Sequence, residues 1–207
     1  MMAPTQASAQ HRQNELKGYF LGFLGVAIFS ATLPVTKLAV GTDASPLMSG
    51  QFVAFARAVI AGTLSLLWLL WVRPAIPKGR DWLLLAVTAC GVVFGFPLLT
   101  SHAMRYVDGT HASVVLGLMP LATALCGALV YRRRPPSAFW LASLAGCGLV
   151  MAFTIWRGQG ELGANAIGLS FADVMLFGAV VLGAIGYASG AVLATRHRSE
   201  TVISWAL

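Results

Sequence analysis

The residues of this chain that can do chemistry are few, and they are scattered singly within or at the ends of long apolar stretches. Arg57 is flanked on both sides by Phe, Ala, Val and Ile. A guanidinium in such surroundings has two uses: counter-ion for an anionic or zwitterionic solute, or a packing donor to carbonyls that a helix leaves unpaired. Pro34 removes the donor for the Ser30 carbonyl, and Pro97 that for the Val93 carbonyl. Backbone oxygens freed in mid-stretch build polar sites, or mark kinks that serve packing alone. His102, His111 and Lys37 fall near the ends of their stretches, where an interfacial or snorkelling role competes with a functional one. Asp173 has the chemistry of a proton carrier, with no partner visible in the sequence. There is no H-E-x-x-H, no G-x-S-x-G and no carboxylate pair within one stretch, so an enzyme is left with isolated residues. Nothing calls for a cofactor or a metal. Cys90, Cys126 and Cys147 lack C-x-x-C spacing and read as small buried thiols.

The elements that must position these groups follow from the apolar runs. Trp82–Met104 and Ala112–Tyr131 are joined by only seven residues, Arg105 to His111. A bilayer core about 30 Å thick needs roughly 20 apolar residues at 1.5 Å each, so the pair is a transmembrane helical hairpin. Gly18–Val40, Leu47–Val72, Ser137–Trp156 and Gly168–Thr195 repeat the pattern, and Thr201–Leu207 turns apolar again. The fold class is therefore all-α, a polytopic transmembrane bundle. Hydrophobic residues make up 57% of the 207 and charged ones 10%, against about 25% in soluble domains. The net charge of +7 comes from short loops between the spans, so a nucleic-acid partner is not expected and the lipid bilayer is.

Small residues recur at helical spacing. Gly50, Ala54, Ala58 and Gly62 make one stripe, and Ala179, Gly183, Gly186 and Gly190 another; both read as faces for close helix packing. Gly18, Gly22 and Gly25 form a third.

Orientation follows from Lys and Arg. Alternate loops, starting at the N-terminal tail, hold Arg12, Lys17, Arg73, Lys78, Arg80, Arg132, Arg133, Arg134, Arg196 and Arg198; the other side holds Lys37, Arg105 and Arg157. This asymmetry puts the N-terminus in the cytoplasm. The segment Ser30–Lys37 has an echo in Ser189–Arg196 (Ser/Ser, Thr/Thr, Lys/Arg). Five spans separate the two, which inverts the second copy, as in transporters built from inverted repeats.

The chain resembles the EamA-type transporters of the drug/metabolite transporter superfamily. Phe96-Pro97 followed by Ala103-Met104-Arg105-Tyr106 is similar to that family's end of helix three. Ala112-Ser113 with Pro120-Leu121 is similar to helix four, Ile28-Phe29-Ser30 with Lys37 to helix one, Phe55-Ala56-Arg57-Ala58 to helix two, and Gly146 with Gly148 to helix five. Where the family has an acidic residue after helix four, Tyr131-Arg132-Arg133-Arg134 stands instead. The resemblance implies two inverted five-helix repeats. The expected organisation is a disordered cytoplasmic tail at 1–17, a first repeat at 18–156, a periplasmic loop at 157–167 and the start of a second repeat at 168–207. It implies an inner-membrane permease that exports small metabolites or drug-like solutes by alternating access. A second copy, or the helices missing from the second repeat, is then an expected partner. The alternatives are a non-transporting membrane fragment or structural subunit and, behind them, a membrane-embedded enzyme.

Overall fold

The computed structural model describes residues 4–131, 136–158 and 171–207. It is a bundle of helices in which α1 is Pro4–Ser30, α2 Thr32–Val40, α3 Gly50–Val72, α4 Arg80–Thr88, α5 Phe96–Tyr106, α6 Gly109–Leu116, α7 Met119–Tyr131, α8 Ser137–Gly158, α9 Phe171–Ala194 and α10 Ser199–Ala206. Among the described residues five helical stretches are long and apolar enough to cross a bilayer: Leu16–Val40, Gly50–Val72, Arg80–Tyr106, Gly109–Val130 and Phe171–Ala194. Together with α8, this is the all-α polytopic bundle that the apolar runs predict. Regular backbone begins at Pro4, inside the stretch 1–17 expected above to be a disordered tail. Arg132 to Arg134 and most of the loop at 157–167 lie outside the described residues.

The three mid-span prolines interrupt their helices in different ways. Before Pro34 the chain turns at Ala31, whose N–H reaches back only to Ile28 O at 3.3 Å; Val35 N–H then donates to Ala31 O and starts α2. Before Pro97 the helix does not break. It widens into a π-helical stretch, Ala89–Gly95, and Phe96 N–H donates to Gly91 O, five residues back. The wider turn carries the span past the donor that proline lacks. At Pro120 the turn at Gly117 and Leu118 separates α6 from α7. The Cys147 thiol donates to the Gly117 carbonyl at 3.1 Å, so α8 covers that break.

Helix ends are set by side chains. The Ser49 hydroxyl accepts from Phe52 N–H at 3.1 Å and starts α3. Asp108 does the same for α6, accepting from Thr110 N–H at 2.8 Å. Gly41, at φ 73°, ends α2, where only glycine adopts such a backbone without strain.

Helix α9 is the most enclosed span, packed by α4, the π-helical stretch, α5, α6 and α7. Its glycine stripe allows this. A methyl group added at Gly91 would stand 2.9 Å from Gly186 Cα, so two backbones touch there with no side chain between. One apolar core joins Val40, Val53, Met104, Ala112 and Leu176, and a second joins Leu85, Leu193, Val202 and Ala206. On α1 and α3 most large apolar side chains, such as Phe23, Val26, Leu64 and Leu67, face outward, as the bilayer requires.

Candidate functional site

A groove of about 430 Å³ runs between α1–α2 and α3. Its walls are Ile28, Val35, Met48, Phe52, Val53 and Ile60, with the hydroxyls of Thr32 and Thr36 and a single charged side chain, Arg57. No carboxylate among the described residues lines it. Ala31, where α1 gives way to α2, is itself part of the lining. Among the described residues none hydrogen-bonds or ion-pairs with Arg57, while the phenol of Tyr187 on α9 stands within electrostatic reach of it. In so apolar a setting, an unneutralised guanidinium attracts an anion far more strongly than it would in water.

At one end of the bundle a polar corner has formed. Lys37 Nζ donates to Met104 O at 2.7 Å and to Val107 O at 2.8 Å, so an ammonium on α2 satisfies carbonyls that the end of α5 leaves open. Asp108 sits beside it; the Thr110 N–H above all, and the nearby Lys37 charge to a lesser extent, hold its carboxyl below the usual carboxylate range. In the same region His111 on α6 pairs with Asp173 at the start of α9. At the opposite end Asp81, first turn of α4, receives Arg196 at 3.3 Å and His197 at 2.9 Å, tying α4 to the connection between α9 and α10. The rings of Trp82 and Trp205 meet edge to face alongside.

The residues singled out in the sequence do not converge. Arg57 lies in the groove. Ser30 is exposed and not part of the lining; its hydroxyl bonds back to Ala27 O. Val93 is buried in the π-helical stretch, so proline there yields a widened helix and not a broken one. His102 lies against Gly50, where a methyl group would stand 2.9 Å from its backbone nitrogen. Asp173 does have a partner, His111, contrary to the sequence reading. Lys37 folds across to the end of α5, where its ammonium is held by the Met104 and Val107 carbonyls. Of the stripes, Gly50 and Ala54 are buried and Ala58 half-buried, and Gly62 faces the Leu207 carbonyl; Gly183 faces Phe96 and Met119, Gly186 faces Gly91, and Gly190 faces Thr88. The sequence reading missed Tyr187, Thr36 and the Asp81–His197 pair. For that pair a signal existed, since both residues follow from the loop assignment as neighbours of the same membrane face.

The profile of the EamA-like transporter family matches residues 16–154. The chain is 44% identical over 190 residues to the uncharacterized transporter YdeK of Bacillus subtilis, covering 92% of this chain and 62% of that one. It is 27% identical over 159 residues to an uncharacterized transporter of Archaeoglobus fulgidus, covering 74% of this chain and 52% of that one. The chain thus spans little more than half to three-fifths of the length of these relatives. No solved structure matches it significantly.

Proposed function

The chain belongs to the EamA-like transporter family, and from that premise we propose that it forms the solute-handling part of an inner-membrane exporter working by alternating access. That it is a multi-pass membrane protein rests on its spans and its family. The observation that carries the transport reading is the groove beside α2 and α3. An apolar path with one charged side chain at membrane depth suits solute passage, and a residue of that cost is ordinarily kept for function. The helix interruptions at Ala31 and Gly117 and the inverted echo of Ser30–Lys37 in Ser189–Arg196 support it further. Solute passage needs no reacting group, which agrees with the scattered polar residues.

The N-terminus is cytoplasmic in this proposal, on the strength of the Lys and Arg asymmetry. A cysteine at Gly79 then reacts in intact cells only with membrane-permeant reagents, and one at Asp108 with impermeant reagents too; the reverse pattern would overturn the orientation. For function, the test is the solute content of the medium around cells expressing the chain, followed by flux of any enriched solute in inside-out vesicles. Export raises at least one small solute outside and gives saturable uptake into the vesicles. An unchanged medium with no flux would favour a structural subunit instead.

A further inference from the structure

We propose that the groove around Arg57 takes a monoanion with an apolar body: a carboxylate on the guanidinium and a hydrocarbon or aromatic body along Val35, Met48 and Phe52. This rests on the transport reading above and narrows its substrate class.

Charge decides first. Among the described residues Arg57 is the one charged side chain in the lining, and no carboxylate stands opposite it. A cationic solute meets repulsion in an apolar setting and finds no counter-ion. A zwitterion pairs its carboxylate but leaves its ammonium against apolar walls or beside Arg57, where only threonine hydroxyls are on offer. A dianion such as a phosphate ester brings a second charge that one guanidinium does not neutralise. A monocarboxylate balances the site, and its two oxygens match the planar guanidinium fork.

Shape decides the rest. A volume of about 430 Å³ falls within the usual range for small-molecule sites, and most of the wall is hydrocarbon or phenyl. A short hydrophilic acid leaves that wall unfilled. Thr32 and Thr36 offer hydroxyls from the α2 side, and the Tyr187 phenol on α9 lies within electrostatic reach of the guanidinium, so the polar groups near the site are few against a largely apolar wall.

The test uses the 207-residue chain in nanodiscs of zwitterionic phosphatidylcholine with radiolabelled 1-naphthoate as the probe. Saturable binding is expected, uncompeted by 1-naphthylmethylammonium or phenylalanine. Arg57→Gln is expected to weaken it about tenfold or more, as loss of a charged hydrogen-bonded partner does. Ile60→Glu, which places a carboxylate one helical turn from Arg57 without removing it, gives the same loss, so the test does not depend on Arg57→Gln folding. Arg57→Lys keeps part of the affinity. Equal binding by Ile60→Glu, or effective competition by the ammonium, would overturn the proposal. Two results separate it from the transport reading. Arg57-dependent naphthoate binding without flux of any solute would sustain the site and defeat the transport reading. Solute flux indifferent to naphthoate and to Ile60→Glu would do the opposite.

Discussion

The Lys37 ammonium donates to the Val107 carbonyl at 2.8 Å across 70 residues of chain, and with Met104 O it closes the end of α5. The resemblance marks Lys37 only as a cation at the end of a first helix. Its structural work is to bring α2 onto the hairpin between α5 and α6, where Asp108 begins the next helix. Lys37→Met therefore leaves two carbonyls without their donor. A loss of about 1.5–3 kcal/mol for each charged hydrogen bond is expected, read as a fall in thermal stability of the detergent-purified protein. Lys37→Arg should recover part of it. An unchanged melting temperature for Lys37→Met would remove this role.

Asp108 gives that corner a pH dependence of known sign. Its folded pKa is lowered, first by the Thr110 backbone N–H and least by the Lys37 charge. Its contribution is thus fully present above the ordinary aspartate value of about 3.9 and lost as pH falls through the lower folded value. Asp108→Asn keeps the cap but does not titrate. The stability gap between the two proteins should be constant at neutral pH and shrink in acid. A gap that widens in acid would contradict the assignment.

His111 and Asp173 join α6 to α9, and the carboxylate is nearly buried. In a double-mutant cycle with His111→Ala and Asp173→Asn, the two losses of stability should fall short of additive by about 0.5–3 kcal/mol. Additive losses would mean the pair contributes no coupling.

The contact of Gly91 with Gly186 predicts an uneven response to side chains. Gly91→Val puts bulk against the α9 backbone and should greatly reduce monodisperse protein on size exclusion. Gly146→Ala, where nothing lies within 4 Å, should be tolerated. Similar behaviour of the two variants would count against α9 docking on the π-helical stretch.

The spans were legible because length and hydropathy are dictated by the bilayer; Trp82–Met104 as read became Arg80–Tyr106 as found. Pro34 and Pro97 signalled departures from regular α-helix. Their form was not legible, since a missing proline donor can be met by a turn, as before Pro34, or by a widened helix, as before Pro97, and the local sequence does not choose between them. The site was less legible still. Arg57 announces itself as a charge in an apolar run, but Tyr187 reads as one more aromatic residue of its span. The pairing of His111 with Asp173 spans 62 residues and leaves no periodic trace. Side chains that act between helices are fixed by docking, which a single sequence does not encode locally.

The groove around Arg57 as a solute path is tested most directly by two adjacent cysteines on α3. Val59 and Ile60 are 67% and 63% exposed, yet only Ile60 lines the groove. In a chain with Cys90, Cys126 and Cys147 replaced by serine, Ile60→Cys should react with a charged, impermeant thiol reagent, because a solute path admits water. Val59→Cys, facing lipid, should stay unreactive. Equal silence of both thiols would make the groove a lipid-filled seam and contradict the transport path proposed here.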